Sequence, residues 1–157
     1  MLEICGFESH QSYQTMRKQI LENITQAQFG CSCMFVPIER GKAAKVYRTK
    51  GERNYAAKKQ RLAFKLGFGP KVYKSFDLSR GIRAGTSAYA PKGSVYRYGY
   101  VTQIATCVHR YDGSPTLERK MHKHKFSTYD LHGGNIGRIG RRLVCIDFDR
   151  CSVGAFY

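Results

Sequence analysis

The chain has few acidic residues and no long apolar run. Its 157 residues include 11 Asp and Glu against 27 Lys and Arg, which gives a formal net charge of +16. This excess favours a polyanionic partner (nucleotide phosphates, nucleic acid, an acidic protein or a membrane surface) and does not choose among them. No apolar stretch approaches the roughly 20 residues that a membrane-spanning helix requires. The N-terminal residues lack a basic and then apolar leader, so we expect neither a membrane span nor a signal peptide.

Cysteine pairs at zinc-binding spacing are also missing. The six cysteines are scattered, and Cys31 and Cys33 are their only close pair. A structural zinc site requires two such pairs, or a cluster of Cys and His at regular spacing. We therefore expect reduced, mostly buried thiols and a cytoplasmic protein.

The length and composition fit one globular domain. At 42% hydrophobic and 13% aromatic residues the chain can bury a modest core. No internal repeat divides it. We expect a single domain over residues 1–157, with an N-terminal helical extension (1–30), a sheet lobe (31–106) and a C-terminal part (107–157).

Hydrophobic periodicity predicts an α+β fold with a mostly antiparallel sheet and flanking helices. Helices are predicted over 12–28 and 52–66. A third is predicted to begin at Pro115, with Leu117, Met121 and Phe126 facing inward. In the second helix we expect an inward face of Tyr55, Leu62, Ala63 and Leu66 and an outward face of Lys58, Lys59, Arg61 and Lys65. Strands are predicted over 31–38, 43–48, 71–76 and 93–107, and a loop is predicted over 79–91.

A stretch near the C-terminus combines polar loop residues with a short hairpin. A glycine-rich loop from Asp130 to Asn135 is followed by a strand, a Gly-Arg-Arg turn and an apolar strand that ends at Asp147. This order predicts that Asp130, Asn135 and Asp147 meet at one end of a small sheet. Carboxylate and amide oxygens are the ligands that Mg²⁺ prefers. The alternative is an ordinary hairpin with acidic ends, since Asp, Asn and Gly collect in turns for backbone reasons.

The order Asp-x4-Asn, apolar strand, Asp-Phe resembles the catalytic core of the protein-kinase-like superfamily. The segment Asp-Leu-His-Gly-Gly-Asn resembles the corresponding motif of the aminoglycoside, choline and lipopolysaccharide kinases more than that of ordinary Ser/Thr kinases. The resemblance implies that Asp130 is the catalytic base and that Asn135 and Asp147 hold magnesium, with Asp149 assisting. It also implies ATP and Mg²⁺ as cofactors. Thr128 stands where that superfamily has a histidine two residues before the catalytic Asp.

Two further segments resemble the same superfamily. Ala43-Ala-Lys-Val-Tyr-Arg48 is similar to the strand whose Lys pairs with nucleotide phosphates, which implies this role for Lys45. Residues 67–73 resemble the link between helix αC and the next strand. No glycine-rich phosphate loop precedes Lys45, so Arg40 and Lys42 would bind phosphate instead. Gln103 directly precedes Ile104-Ala-Thr106, where a kinase would have its hinge, so the resemblance implies a nucleotide contact there.

The chain also departs from the kinase pattern. Helix αC of kinases supplies a Glu that orients the strand Lys, and here Glu52 is early, Gln60 is late and Ala56 occupies the aligned position. The sequence ends ten residues after Asp147. The resemblance therefore implies a kinase-like small lobe with a catalytic-loop remnant, and most of the large lobe absent.

Three functions follow as hypotheses. The first is a minimal ATP- and Mg²⁺-dependent phosphotransferase acting on a hydroxyl of a protein or small molecule. The second is a pseudokinase-like basic protein that binds an acidic partner protein or a nucleic acid. The third is a nucleic-acid binder in which Tyr96, Tyr98 and Tyr100 stack on bases, although aromatic residues on strands usually pack in the core. The acceptor and the oligomeric state are left open.

Overall fold

The structure is a computed structural model that describes residues 7–30, 32–85, 90–108, 115–128, 131 and 133–148. These residues form an α+β fold, as predicted. Within them the helices are α1 (Phe7–Glu22), α2 (Lys50–Lys65) and α3 (Pro115–Lys123). The strands are β1 (Gln28–Phe29), β2 (Cys33–Glu39), β3 (Lys42–Tyr47), β4 (Val72–Ala84), β5 (Ser94–Gln103), β6 (Thr106–Cys107), β7 (Ile136–Ile139) and β8 (Arg142–Cys145).

The described strands form two sheets. A five-stranded sheet has the order β1-β2-β3-β5-β4, and β6, β7 and β8 form a three-stranded sheet. The pairs β1–β2, β2–β3, β6–β7 and β7–β8 are antiparallel. No helix in the described ranges has the length and apolar character needed to span a bilayer.

The chain divides into two compact units. The first, which we call the sheet unit, contains Met1–Arg53 and Lys74–Val101; the second, the hairpin unit, contains Asn54–Tyr73 and Thr102–Tyr157. Each unit has its own hydrophobic core. The single-domain organisation stays a prediction.

Helix α1 packs on the sheet unit through its apolar side chains. Met16 and Ile20 join a core with residues of β2 to β5. The helix ends at Glu22, earlier than predicted, because Asn23 turns its side chain back to the carbonyl of Gln19, at 3.0 Å. Asn competes with the backbone in this way and favours helix ends. A 3₁₀ turn (Ile24–Gln26) follows.

Strand β4 is longer than its sequence pattern predicts. Residues 79–84 were expected in a loop because of their Ser and Gly content, and they continue the strand to Ala84. Leu78 and Ile82 are buried in the core of the sheet unit. Gly81 is needed because a Cβ atom there would collide with the side chain of Val95. This glycine therefore marks a close approach of neighbouring strands, not a turn.

Two of the three tyrosines of β5 belong to the core, and Tyr98 is half-buried. Tyr96 and Tyr100 are buried, and the Tyr100 ring stacks on Tyr47 with centroids 6.0 Å apart. Tyr96 lies against Phe29, also at 6.0 Å. Burial raises the pKa of the Tyr96 phenol above its usual value of 10.0. These two rings pack inside the sheet unit, in agreement with the packing interpretation, and are not exposed for stacking on bases.

Arginine side chains donate to backbone carbonyls throughout the sheet unit. The most buried is Arg53, whose Nη1 lies 3.0 Å from the oxygen of Phe76 and 3.1 Å from that of Gly99. The same nitrogen lies 3.1 Å from the Asp77 carboxylate. Similar bonds to single carbonyls are made by Arg17, Arg83 and Arg97. Arg53 thus connects the start of α2 to strands β4 and β5.

Gly99 lies in β5 at a position that has no room for a side chain. A Cβ atom there would overlap the Phe76 ring and lie 2.7 Å from the backbone oxygen of Lys45. We expect Gly99→Ala to lower the free energy of unfolding by roughly 1–3 kcal/mol through overpacking. Urea denaturation measures this. Gly51→Ala is the matched control, since its Cβ would meet nothing within 4 Å; equal stability of the two variants would contradict the prediction.

Helix α2 begins with a capping box. The Thr49 hydroxyl lies 2.8 Å from the Glu52 carboxylate, which also accepts from the Thr49 N–H, while the Glu52 N–H donates to the Thr49 hydroxyl. These reciprocal bonds satisfy amide groups that the first turn leaves unpaired. Glu52 is therefore part of the helix cap.

The prediction for α2 is correct in part: Ala63 is buried, Leu66 packs against the core, and Lys58, Arg61 and Lys65 are exposed. It is wrong for three residues. Tyr55 and Leu62 are 53% and 40% exposed, whereas Lys59 is buried. The remaining buried residues are Arg53, Ala56, Ala57, Gln60 and Ala63. Small side chains allow a close approach, and the Gln60 amide is satisfied by Thr102 Oγ1 at 2.6 Å and Pro70 O at 3.1 Å. A satisfied polar group can be buried at little cost, which the periodicity argument does not consider.

Helices α2 and α3 end in the same way within the hairpin unit. Gly67 (φ 85°) and Lys125 (φ 61°) take the left-handed conformation just after the helices. The following residues, Phe68 and Phe126, donate their N–H groups to Ala63 and Met121, at 3.0 and 2.9 Å. This is the Schellman motif. It turns both phenylalanines inward, where their rings meet edge to face at 4.9 Å. As predicted, Leu117, Met121 and Phe126 face the core.

Candidate functional site

The candidate site lies at one end of the β7–β8 hairpin. As predicted, Ile136–Ile139 and Arg142–Cys145 pair around a turn at Gly140, which has φ 59°. Ile136 lies opposite Cys145. Strand β6 pairs with β7, so the hairpin belongs to a sheet of its own and does not extend the five-stranded sheet.

Asn135 and Asp147 lie at the same end of this hairpin. The Ile146 N–H donates to the backbone oxygen of Asn135 at 2.9 Å, one residue before Asp147. Asn135 closes a 3₁₀ turn (Gly133–Asn135) and is only 9% exposed. The Cys145 thiol donates to the backbone oxygen of Asp147 at 3.3 Å. The backbone thus holds an amide and a carboxylate residue close together.

Aromatic packing fixes the chain on the far side of Asp147. Phe148 is fully buried, and its ring meets Phe126 edge to face at 6.3 Å. On the near side, the Cys145 N–H donates to the backbone oxygen of Phe68 at 2.9 Å. Because residues before and after it are anchored, Asp147 has a well-defined backbone position. Such support is what a metal-binding or catalytic carboxylate requires.

Helix α3 leads into the loop where the predicted base lies. His122 Nε2 lies 2.9 Å from the Thr128 hydroxyl, which ties the end of α3 to the segment before Asp130. Asp130 and Asp149 lie outside the described residues, so their predicted roles remain predictions. Among the residues that the structure does describe, no group of three His, Cys, Asp or Glu side chains could hold a metal ion.

The predicted phosphate-binding residues belong to the sheet unit. Lys45 lies in the centre of β3, is 6% exposed and has Ala44 and Val46 as buried neighbours in the chain. Arg40 and Lys42 lie at the β2–β3 turn, where the Lys42 ammonium pairs with the Glu39 carboxylate at 3.0 Å. Lys45 is therefore an interior lysine, whereas Lys42 carries a charge that Glu39 already partly balances.

Gln103 ends β5 in the hairpin unit. Its N–H donates to the Lys71 oxygen at 2.9 Å, and its side-chain oxygen accepts from the Lys71 N–H at 3.3 Å. The carboxamide therefore fixes the segment before β4. Its predicted contact with a nucleotide remains a prediction.

Sequence reasoning missed three residues that organise the start of α2. Arg53 carries no motif, because its partners lie 23 and 46 residues away along the chain. The pair Thr49 and Glu52 does carry a signal, since Thr-x-x-Glu before a helix is the capping-box pattern. This pattern predicts that Glu52 belongs to the helix cap.

Comparisons with known proteins do not add to this geometry. The interpretation of the site depends on the residues and contacts above. No protein-family model, no curated protein and no solved structure matches this chain.

Proposed function

We propose that the chain is a minimal kinase-like phosphotransferase that uses ATP and Mg²⁺. The observation that carries the proposal is the hydrogen bond from Ile146 to Asn135, because it holds Asn135 beside the residues that lead into Asp147. An Asn from the catalytic loop and an Asp after the following strand are the magnesium ligands of kinases. Any hairpin of this register would form the same bond, so the support comes from the Asn and the Asp that occupy its two ends.

In this proposal the hairpin unit holds the metal and orients the acceptor. The amide oxygen of Asn135 and the carboxylates of Asp147 and Asp149 would bind Mg²⁺, which prefers oxygen ligands. Asp130 would orient the acceptor hydroxyl and accept its proton. Phosphoryl transfer depends mainly on positioning and electrostatic stabilisation, so a small scaffold suffices where these groups converge.

Lys45 would neutralise phosphate charge from the sheet unit. It lies on β3, the strand that precedes α2, and kinases place their phosphate-binding Lys on a strand that precedes helix αC. Arg40 and Lys42 at the neighbouring turn add positive charge. The order of the elements, a hairpin followed by a helix and a second antiparallel pair, supports a kinase-like small lobe. We further propose a cytoplasmic location, where the thiols of Cys33, Cys107 and Cys145 would stay reduced.

A second candidate function is a pseudokinase-like binding protein. Its support is Glu52, the only acidic residue of α2, whose carboxylate is bound to Thr49 in the helix cap. Kinases use an αC Glu to orient the strand Lys, and a helix without an available Glu favours binding without turnover. The net charge of +16 would then serve an acidic partner protein or a nucleic acid.

Binding of Mg²⁺-ATP should stabilise the folded protein. At 100 times the dissociation constant, a ligand that binds only the native state adds about 2.7 kcal/mol. For a chain of this size we expect the melting temperature to rise by roughly 5–10 °C. Differential scanning fluorimetry measures the shift, and isothermal calorimetry gives the affinity.

Magnesium alone and ATP with EDTA are the controls, and each should give a smaller shift. If Mg²⁺-ATP gives no shift, the phosphotransferase proposal is wrong and the second candidate replaces it. If the shift occurs without transfer or hydrolysis of labelled ATP, the protein binds nucleotide and the second candidate is again favoured.

A further inference from the structure

The outer surface of α2 carries large apolar and basic side chains side by side. Tyr55 and Leu62 lie two turns apart on one side of the helix and are exposed. Lys58, Arg61 and Lys65 are also exposed and follow at spacings of three and four residues, so they adjoin the two apolar residues. We call these five residues the outer face of α2.

The distribution of side chains on α2 is inverted. An ordinary surface helix buries its large apolar residues and exposes its small and polar ones. Here the buried face includes Ala56, Ala57, Gln60 and Ala63, while Tyr55 and Leu62 point to solvent. Within the part of the chain that the structure describes, neither side chain joins a hydrophobic core. Two exposed apolar residues at a spacing of seven match the spacing at which amphipathic helices are recognised.

The charge around these residues is of one sign. No acidic residue lies between Glu52 and Asp77. Lys58 and Arg61, and Arg61 and Lys65, are neighbours on the helix surface, where like charges repel and destabilise the helix. Acidic side chains of a partner would relieve this repulsion. The complementary partner therefore combines Asp or Glu with apolar residues.

A protein helix fits this surface better than a nucleic acid does. Binding to a phosphate backbone depends on charge and gains nothing from an exposed Leu62. The Tyr55 ring is engaged by the Lys59 ammonium, which lies 3.7 Å from its centroid and competes with stacking on a base. Anchors at helical spacing are typical of recognition of an amphipathic helix.

We propose that the outer face of α2 binds an acidic amphipathic helix of a partner protein. Leu62 and Tyr55 contact the apolar stripe of that helix, and Lys58 and Lys65 pair with acidic residues at its edges. The proposal does not depend on the phosphotransferase function, because none of these residues belongs to the candidate site. Binding is therefore expected without nucleotide.

Peptide display tests the proposal. Random peptides of about four helical turns are selected on the wild-type protein and depleted on the double variant Tyr55→Ser, Leu62→Ser. The selected sequences should carry Asp or Glu beside Leu, Ile or Phe at spacings of three and four residues. Fluorescence anisotropy with a selected peptide should show binding about tenfold weaker for Leu62→Ser and for Lys58→Glu with Lys65→Glu.

Two controls separate this surface from general attraction between charges. Leu21→Ser removes an exposed leucine of α1 and should leave the affinity unchanged. A peptide with its acidic residues changed to Lys should bind the variant Lys58→Glu, Lys65→Glu and not the wild type. Melting temperatures confirm that each variant is folded, and Leu62→Ser alone replaces the double variant if that variant is unfolded.

Three results would overturn the proposal. One is a selection that yields no peptide dependent on Tyr55 and Leu62. Another is equal binding of a scrambled peptide of the same charge. The third is tight binding of a single-stranded RNA oligonucleotide that requires Lys58 and Lys65 and is unaffected by Leu62→Ser, which would assign the surface to nucleic acid.

Discussion

Asp147→Asn should abolish magnesium-dependent turnover of ATP and leave the protein folded. Asn keeps the size of the side chain and removes the negative charge that would hold the metal in the proposed function. The backbone around position 147 is anchored by the Cys145 and Phe148 contacts, so the substitution changes charge and not position. We expect the rate of transfer or hydrolysis of labelled ATP to fall by at least about 100-fold.

Glu22→Gln is the matched control for this prediction. It removes one carboxylate from an exposed pair with Lys18 on α1, at 3.9 Å, and should leave turnover unchanged. Unaltered turnover in Asp147→Asn would rule out the metal role of Asp147. Asp130→Ala tests the role of the other carboxylate. If this variant is as active as the wild type, Asp130 is not the base.

Arg53→Met should destabilise the protein more than any surface substitution. The change leaves the carbonyls of Phe76 and Gly99 without this donor and takes a charged partner from Asp77. Breaking a buried charged network costs about 3–5 kcal/mol, and the partial exposure of Asp77 places this variant toward the lower end. We expect a fall in melting temperature of roughly 6–12 °C, measured by calorimetry or circular dichroism.

Lys50→Met provides the comparison, since Lys50 also pairs with Asp77, at 3.5 Å, and its side chain is largely exposed. An exposed pair contributes about 0–1 kcal/mol, so this variant should remain close to the wild type. Arg53→Lys should lie between the two, because an ammonium group cannot replace the planar fork of a guanidinium. Similar melting temperatures for Arg53→Met and Lys50→Met would show that the buried network contributes little.

The parts of the fold that could be predicted are those that short-range patterns specify. The β7–β8 hairpin follows from a short strand and an apolar strand on either side of a Gly-Arg-Arg turn, and Gly140 takes the positive φ that such a turn requires. In α3, Leu117 and Met121 lie one turn apart and are buried as expected. Asn135 and Asp147 come together because this one hairpin joins them. Local geometry was sufficient in each case.

The errors arose where distant partners decided the outcome. Gln60 is buried because Thr102, 42 residues away, accepts its amide. Tyr55 and Leu62 were placed inside by periodicity, although Gln and Ala occupy that face. The presence of Gly81 predicted a loop. In the structure a glycine is needed at this position because a Cβ atom would collide with the Val95 side chain. No pattern within a few residues contains this information.

Only the local part of the candidate site could be predicted from the sequence. The hairpin residues could be placed, whereas the position of Lys45 relative to them depends on tertiary structure that no local pattern encodes. The sequence does not predict the role of Arg53 either, because its partners are backbone oxygens of β4 and β5.

Four arginines of the sheet unit have a structural role in addition to their contribution to the net charge of +16. Arg17, Arg53, Arg83 and Arg97 use their guanidinium groups to complete the backbone hydrogen bonding of the strands. A hydrogen bond to a neutral carbonyl leaves the arginine charge in place, so these residues support the strands and still attract a polyanion. Acetylation neutralises lysine and spares arginine. Such a modification would therefore lower the net charge of +16 by one for each lysine and leave the arginine–carbonyl bonds intact.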